Sequence, residues 1–285
     1  PADGAVPAGA GLPGATALAR FGPGVVAGAL MALDGLAITL SRVAVLDNLL
    51  MLLALIGFYF VVLDRVWARE RIHSKMLSMP SDSKARIWGP ALWWRPWLIA
   101  ASIMFGLACG IKWSGIWFVV AFGIFVVVMD AIDRRRFGIE LWFSAAVLKQ
   151  GPIALLLMVP VAAATYIATW TSWILSKDGY YRTWIDTHPA QQIHGFFSWI
   201  PLWLQDLWFY HQSAYGFHVG LSTPHAYQSN PLLWLVMQRP TSMWYEGSSM
   251  GQRGCSLASC SEAINPIANP LIWYAAVAAI IYLLY

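Results

Sequence analysis

Long apolar segments separated by short polar breaks constrain this chain more than any other feature. Within Ala32–Arg65, two apolar stretches flank a polar patch that contains Ser41, Arg42, Asp47 and Asn48. An apolar segment of about 20 residues can cross a bilayer as a helix. An ionisable side chain between two such segments is costly near hydrocarbon and usually has a function. We therefore predict a membrane protein with a functional site at this patch.

The composition supports this class. Hydrophobic residues make up 59% of the chain and charged residues 11%, whereas a soluble domain has about 25% charged residues. The 17 Trp and 11 Tyr residues are typical of aromatic belts at membrane interfaces. The net charge of +4 comes from basic residues in short loops beside apolar segments. This pattern favours the positive-inside rule over binding of nucleic acid.

The sequence predicts an all-α polytopic fold with three regions. Residues 1–169 hold the membrane helices, with cytoplasmic basic loops at 64–95 and 134–141. Residues 170–269 form an exoplasmic loop region rich in aromatic side chains, within which Gln192–Tyr210 lies in the interface. Residues 270–285 begin a further membrane helix. The predicted spans are Phe21–Leu40, Leu49–Leu63, Pro96–Gly110, Ile116–Met129, Phe143–Thr169 and the segment from Pro270.

The basic loops set the orientation. If 64–95 and 134–141 face the cytoplasm, then Arg42, Lys112 and the 170–269 region face the other side. The planar guanidinium of Arg42 suits phosphate oxygens, and Lys112 adds a point charge. Two cations at one interface can hold the phosphate of a lipid-linked donor. The alternative is that Arg42 pairs with Asp47 and Lys112 extends to lipid headgroups.

Other polar residues have weaker signals. His218, His225 and Tyr227 lie in one loop segment, where they can donate to phosphate or sugar hydroxyls or bond within the loop. Asp186 is a candidate base, although an ordinary loop acid is the simpler interpretation. Asp34 lies inside an apolar segment, where we expect it to cap or bond to a helix. Metalloprotease and phosphate-loop motifs are missing from the sequence, so metalloprotease and phosphate-loop nucleotide chemistry are unsupported.

The three cysteines divide into two kinds. Cys109 lies in an apolar segment and is expected to pack there. Cys255 and Cys260 lie in the polar loop sequence GCSLASC. A disulfide between them is expected if the loop is outside the cytoplasm. A zinc site is the less supported alternative, because two sulfurs lack a second ligand pair.

Three motifs in order resemble the protein O-mannosyltransferase family, in its bacterial, actinobacterial form. They read ALDGLAITLSRVAVLDNLLML, GLACGIKWSGIWFVVAFG and FHVGLSTPHAYQSNPLLWLVMQRPTSMWY. The resemblance implies a transmembrane glycosyltransferase of the GT-C type. Such an enzyme moves mannose from polyprenyl-phosphate mannose to Ser or Thr of exported proteins, with inversion at the anomeric carbon. It implies no cofactor, a site on the exoplasmic side of the cell membrane, and contacts with lipids and with the secretion translocon.

The family motifs fall on named residues. The arginine and aspartate of its S-R-x-x-L-L-D-like motif fall on Arg42 and Asp47, which implies a contact with the lipid phosphate. The K-W-x-G motif falls on Lys112 and Trp113. The H-P-Y-x-S-x-P-W stretch falls on His225–Leu232, with Tyr227 as its tyrosine.

The sequence departs from the family in two respects. Ala226 replaces the proline and Leu232 the tryptophan of the last motif. The family's catalytic Asp-Glu pair is absent from these 285 residues, so the catalytic residue is unassigned. We expect it upstream of Pro1, in which case the chain is a fragment; the alternative is that this polypeptide is inactive.

Two other functions stay open at this point. One is a lipid-phosphate-sugar glycosyltransferase that acts on a lipid or a glycan. The other is a non-enzymatic transporter or assembly subunit, against which we find no inverted repeat and no row of ionisable residues through several spans.

Overall fold

The computed structural model describes residues 17–225 and 227–284. Its helices and strands in chain order are α1 (Ala17–Ala32), α2 (Gly35–Arg42), α3 (Asp47–Ser78), α4 (Ala85–Trp88), α5 (Pro96–Ile111), α6 (Ile116–Arg136), α7 (Trp142–Ser144), α8 (Gly151–Thr169), α9 (Thr171–Leu175), α10 (Trp184–Thr187), α11 (Leu202–Gly220), β1 (Trp244–Ser249), β2 (Ser259–Ile264) and α12 (Pro270–Leu284). The predicted, mostly helical membrane fold is confirmed. The chain divides into two compact units, of which one is Leu46–Ser222 and the other contains the chain on both sides of it.

Three helical segments in the described residues are long and apolar enough to cross a membrane. They are Asp47–Ser78, Trp113–Arg136 and Trp142–Thr169. The last runs from α7 through a π-helical segment, Ala145–Gln150, into α8. A fourth span results if α1 and α2, which meet at an angle of 58°, are counted together.

The bend between α1 and α2 falls at Asp34, inside the predicted span Phe21–Leu40. The Asp34 carboxylate accepts hydrogen bonds from the backbone N–H groups of Leu36 and Ala37 and so caps α2. Its other oxygen accepts from the N–H of Asn269, just before α12, at 2.8 Å. Asp34 therefore caps one helix and bonds to the start of another, as its position in the sequence predicts.

Helix α3 is longer than the sequence suggested. We predicted a span over Leu49–Leu63 followed by a polar loop, but the helix continues to Ser78. Every fourth residue of this extension is apolar and buried, at Ala68, Ile72 and Met76. These side chains pack with Leu92 and Ile139, and this buried stripe explains why a charged segment is helical. The first part of the predicted loop 64–95 is therefore helix.

Helix α5 is the centre of the Leu46–Ser222 unit. Leu98, Ala101, Phe105 and Ala108 are fully buried on it, and it packs against both α3 and α8. Glycines allow the close approach, because a Cβ on Gly106 would lie 2.6 Å from the carbonyl oxygen of Ala162. Small residues of this kind bring helix backbones together in membranes.

The helices of this unit carry polar side chains at both ends of an apolar middle. One end has Asp47, Lys112, Trp113 and Tyr166, and the other has Asp64, Arg95, Asp130 and Gln150. On α3, Asp47 and Asp64 are about 25 Å apart, at a rise of 1.5 Å per residue. This separation is close to the thickness of the hydrocarbon core, about 30 Å. The 16-residue helix α5 therefore reaches between the same two polar levels as its longer neighbours.

Arg95 is the centre of the second polar level. Its guanidinium donates to Asp64 at 2.5 and 3.2 Å and to Asp130 at 2.6 Å, and only 1% of Arg95 is exposed. Because Asp64 is on α3 and Asp130 is on α6, their ion pairs with Arg95 connect both helices to the start of α5. The sequence predicts a solvated loop over 64–95, but Asp64 and Arg95, the charged residues at its two ends, are buried. Removing one partner of such a buried pair costs about 3–5 kcal/mol, because it leaves a buried charge unpaired.

Arg134 lies in the predicted basic loop 134–141 but is a fully buried residue of α6. Its guanidinium donates to the carbonyl of Pro90 at 2.8 Å and to the Gln150 side chain at 3.3 Å. Gln150 in turn accepts from the N–H of Leu92 and donates to its carbonyl. Arg135 and Arg136 stay exposed. Only part of this basic cluster is therefore at the surface.

The region after α8 folds on its own aromatic cluster. The longest helix in this region is α11, Leu202–Gly220, which overlaps the predicted interfacial segment Gln192–Tyr210 only from Leu202 onwards. Asp206 on α11 accepts from the N–H of Ile185 at 2.8 Å and pairs with Arg182 at 3.3 Å. Trp184 stacks between His188 and Phe209. These contacts hold the loop before α10 to α11.

The antiparallel hairpin of β1 and β2 is an exception to the all-α prediction. Its register pairs Trp244 with Ile264 and Ser249 with Ser259. The two strands lie in the predicted 170–269 loop region. The segment from Pro270 is helical as predicted, although Tyr285 lies outside the described residues.

Candidate functional site

Lys112 lies at the point where two membrane helices meet. It is the C-cap of α5 in an extended conformation, with φ −153° and ψ 137°. Its ammonium group lies 3.0 Å from a carboxylate oxygen of Asp47, the first residue of α3. The Lys112 and Asp47 side chains are 53% and 41% exposed. An exposed ion pair of this kind contributes about 0–1 kcal/mol, so Lys112 can exchange the carboxylate for a phosphate at little cost.

The turn after Lys112 is tightly packed. A short 3-10 turn, Trp113–Gly115, connects α5 to α6. The N–H of Gly115 donates to the carbonyl of Lys112 at 2.8 Å. A Cβ at Gly115 would lie 2.6 Å from the Ala108 backbone. The glycine of the K-W-x-G motif is therefore required for this close turn, which aims Lys112 at Asp47.

Trp113 belongs to a polar network that the sequence did not reveal. Its indole N–H donates to the hydroxyl of Tyr166 at 3.1 Å. The Tyr166 hydroxyl lies 2.5 Å from Nε2 of His211. The Trp113 and His211 rings stack with centroids 5.2 Å apart and planes within 9°. Trp113, Tyr166 and His211 come from three distant parts of the chain, so no local motif marked the last two.

A cavity of about 520 Å³ opens beside this network. Trp113, Tyr166, His211 and Tyr215 form its aromatic wall. The rest of the lining is apolar or small, namely Cys109, Ile116, Val119, Val159, Ala162 and Ala163. Such a cavity accepts hydrocarbon in preference to a polar group. Cys109 thus lies half-buried at a cavity wall, consistent with the expected packing role.

Arg42 is the last residue of α2, and its side chain is exposed. In the part of the chain that the structure describes, the Arg42 side chain makes no hydrogen bond or ion pair. Its guanidinium is therefore available for an anion. Arg42 and Lys112 belong to different compact units, so their predicted convergence on one phosphate stays a prediction.

The remaining loop candidates make local contacts. His218 is exposed in the last turn of α11. Nδ1 of His225 accepts from the backbone N–H of Tyr227 at 3.1 Å. Asp186 is exposed in α10. Ala226, where the family has proline, lies outside the described residues. The proposed roles of His218, His225 and Tyr227 in donor binding stay predictions.

The predicted disulfide between Cys255 and Cys260 is present. Cys260 is on β2, and Cys255 lies in the loop that joins the two strands. Arg253 in the same loop pairs with Glu246 of β1. The bridge closes the hairpin loop, and it replaces the alternative of a zinc site on these sulfurs.

Comparison with known proteins supports the resemblance that the motifs carry. Residues 203–285 match a family described as the C-terminal four TMM region of protein-O-mannosyltransferase. A polyprenol-phosphate-mannose–protein mannosyltransferase of Mycobacterium tuberculosis is 31% identical over 265 residues, which is 91% of this chain and 49% of the relative. The protein of the same name from Mycolicibacterium smegmatis is 32% identical over 262 residues, 89% of this chain and 49% of the relative. That from Corynebacterium glutamicum is 26% identical over 265 residues, 91% of this chain and 50% of the relative.

This chain spans about half the length of the curated relatives that it matches. No solved structure matches it. The similarity nevertheless extends over nine-tenths of the chain, and it includes the turn that carries Lys112 and Trp113 as well as α11. The chain is therefore similar to polyprenol-phosphate-mannose–protein mannosyltransferases over nine-tenths of its own length, and its residues 203–285 match the C-terminal region of protein-O-mannosyltransferase.

Proposed function

We propose that this protein transfers mannose from polyprenyl-phosphate mannose to Ser and Thr hydroxyls of exported proteins, with inversion at the anomeric carbon. The observation that carries the proposal is the half-exposed Lys112–Asp47 pair at the end of the helices, beside an apolar cavity with an aromatic wall. A cation next to a hydrocarbon-binding surface suits a phosphate with a long isoprenoid tail. The relatives are named for the same donor and for a protein acceptor.

The reaction breaks one bond and forms another at the anomeric carbon. The acceptor oxygen attacks from the face opposite the phosphate, and the bond between the carbon and the phosphate oxygen breaks. Lys112 stabilises the negative charge that develops on the departing polyprenyl phosphate. We assign the same role to Arg42 on its sequence motif alone. The base that takes the hydroxyl proton is assigned to no residue of this chain.

The distribution of charge supports an exoplasmic site. Lys112 is at one end of the helices in its unit. Basic residues follow the other polar level on both long helices, at Arg65, Arg69, Arg71 and Lys75 on α3 and at Arg135 and Arg136 on α6. Under the positive-inside rule that end faces the cytoplasm, which puts Lys112 on the exoplasmic side. Acceptor proteins would then reach it from the secretion translocon.

The test is a transfer assay with the complete gene product. Purified protein receives polyprenyl-phosphate mannose with a labelled sugar, a Ser/Thr-rich peptide and a mixture of glycolipids. We expect label on the peptide that β-elimination releases. Label on glycolipid alone would instead indicate the alternative glycosyltransferase, and no transfer to either acceptor would favour a transporter or assembly subunit.

The role of Arg42 is tested by Arg42→Lys in the same assay. Lysine keeps the charge but loses the planar fork that binds two phosphate oxygens. We expect turnover to fall by about tenfold or more, as when a transition-state donor is lost, with an unchanged melting temperature. Arg135→Lys, at an exposed arginine of α6, is the control. Wild-type turnover by Arg42→Lys would remove Arg42 from the mechanism.

A further inference from the structure

His211 on α11 contacts the K-W-x-G turn although the two lie far apart in the sequence. Its Nδ1 atom lies 2.6 Å from the carbonyl oxygen of Leu207. A carbonyl oxygen only accepts, so Nδ1 carries the proton and donates. In this tautomer Nε2 is an acceptor, and the Tyr166 hydroxyl at 2.5 Å donates to it.

The hydrogen bond between Trp113 and Tyr166 agrees with this assignment of donors and acceptors. An indole N–H is only a donor, and that of Trp113 points to the Tyr166 oxygen at 3.1 Å. The Tyr166 hydroxyl thus accepts from Trp113 and donates to His211. Each polar group from the indole to the Leu207 carbonyl therefore has a matched donor or acceptor partner when His211 carries its proton on Nδ1.

The aromatic rings add a second constraint on Trp113. Its face stacks on His211, while its edge is held by Tyr166. Tyr166 and Trp170 in turn approach the His211 ring at centroid distances of 5.7 and 5.4 Å. The Trp113 indole is thereby fixed on its face and at its polar edge.

Trp113 directly follows Lys112, and this links the network to the cation. Lys112 has an extended backbone between α5 and the 3-10 turn, and the next side chain, that of Trp113, contacts Tyr166 of α8 and His211 of α11. The Lys112 side chain is half-exposed and paired only with Asp47 among the described residues. Hydrogen bonds to Ala108 and Gly115 hold the Lys112 backbone from within the turn, and the anchorage of Trp113 to α8 and α11 adds a second constraint from outside the turn.

We propose that His211 is a positioning residue, which acts through Tyr166 and Trp113 to hold Lys112 where it meets the phosphate of a polyprenyl-phosphate ligand. The proposal rests on the proposed function, and it makes α11 a part of the donor site. His211 itself touches neither the phosphate nor the sugar. Its loss should weaken binding of the lipid phosphate without changing how the acceptor binds.

The test measures binding and catalysis separately in the complete gene product in nanodiscs. Binding of a short-chain polyprenyl phosphate, without sugar, gives a dissociation constant. Transfer kinetics give KM for the donor, KM for the acceptor and kcat. For His211→Phe, which keeps a ring but removes both nitrogens, we expect a rise of about fivefold to tenfold in the dissociation constant and in the donor KM, typical of coupled neighbours. The acceptor KM should be unchanged.

Tyr166→Phe removes the hydroxyl between the two rings and should have the same effect. Because both residues act in one network, the double variant should be no worse than either single variant. His211→Gln restores an acceptor near the Nε2 position and should recover part of the affinity. A residue that only supported folding would lower the melting temperature without this pattern.

His188→Phe is a matched control. Like His211, His188 stacks on a tryptophan, Trp184, and its Nδ1 lies near the carbonyl oxygen four residues earlier in the chain. It lies outside the Trp113 network, so its replacement should leave polyprenyl-phosphate binding unchanged. If it weakens binding as much as His211→Phe does, general disruption of the aromatic region is the cause and the proposal is wrong.

The outcomes separate this inference from the proposed function. Equal binding by wild type and His211→Phe, or additive effects of the two single variants, would overturn the role of His211. Wild-type protein that binds polyprenyl phosphate but transfers no mannose to peptide would overturn the proposed function, while a binding defect of His211→Phe would still support the positioning role. Wild-type protein without affinity for polyprenyl phosphate would overturn both.

Discussion

Single residues divide into those that the sequence marked and those that only the fold reveals. Lys112, Asp47 and Trp113 were marked by their motifs, and the structure pairs the first two at 3.0 Å. Asp34 was predicted to cap or bond a helix and does both. Tyr166 and His211 were missed, because a tyrosine in an apolar helix and a histidine among aromatic residues resemble ordinary packing. Arg95 was missed because Asp64 and Asp130, the carboxylates that pair with it in the interior, are distant from it in the sequence.

Asp206 provides a prediction at the scale of one carboxyl group. Burial raises the pKa of Asp206 above its ordinary value of 3.8, although the Ile185 N–H and Arg182 oppose the change. The folded state therefore binds this proton more tightly than the unfolded state does. The resulting stability is present below about pH 4 and is lost as the pH rises through the folded-state pKa.

Melting temperatures of wild type and Asp206→Asn from pH 3.5 to pH 7 measure this effect. Asparagine can still accept from the Ile185 N–H but does not titrate. The wild-type melting temperature should fall relative to that of the variant as the pH rises. A constant difference would show that folding leaves the pKa of Asp206 unchanged and would contradict the prediction. A difference that grows in favour of wild type would show that pairing with Arg182 outweighs burial.

The membrane helices were predicted in order but not in length. Hydropathy located the apolar middle of each span, since a bilayer requires it. It could not show that α3 continues to Ser78, because charged residues lie between the buried apolar positions of that extension and lower its mean hydropathy. It also could not separate α1 from α2 at Asp34 or place the β1–β2 hairpin. Packing of α5 between α3 and α8 depends on glycines whose importance is visible only from the neighbouring helix.

The glycines of the helices provide a paired test of this packing. A Cβ on Gly106 would lie 2.6 Å from the Ala162 carbonyl, whereas one on Gly123 of α6 would find its nearest atom, the Met158 sulfur, at 4.0 Å. Gly106→Ala should destabilise the protein by about 1–3 kcal/mol through overpacking. Gly123→Ala should be neutral or stabilising by up to about 1 kcal/mol through helix propensity. Thermal unfolding in one detergent checks both, and equal effects would contradict the close α5–α8 contact.

At the scale of the whole molecule, the sequence predicted the class and the family, and the structure adds two polar levels at the ends of one helical unit. The level at Lys112 is half-exposed and holds a cation with one exposed partner, whereas Arg95 at the other level is buried and paired with two buried carboxylates. This asymmetry indicates a structural role for the Arg95 cluster, and it agrees with the binding role proposed for the Lys112 turn. The sequence could not distinguish them, because burial depends on packing between helices.

The orientation of the molecule is tested by adding one cysteine at a time to a variant with Cys109 replaced by serine, in which Cys255 and Cys260 remain bridged. Ser114→Cys lies in the exposed turn after Lys112, and Arg135→Cys lies at the exposed basic end of α6. A membrane-impermeant maleimide should label Ser114→Cys in intact cells and Arg135→Cys only after permeabilisation. The reverse pattern would put the Lys112 turn in the cytoplasm and contradict the predicted orientation.

The most direct test of the central claim is the rate of mannose transfer from polyprenyl-phosphate mannose to a Ser/Thr-rich peptide by Lys112→Gln in the complete gene product. Lys149→Gln is the control, since Lys149 lies at the other polar level, where it donates to the Gly89 carbonyl. Loss of the charge that stabilises the leaving phosphate should lower kcat by about 100-fold or more, while Lys149→Gln should retain the wild-type rate. A wild-type rate for Lys112→Gln would contradict the assignment of Lys112 as the cation that meets the lipid phosphate.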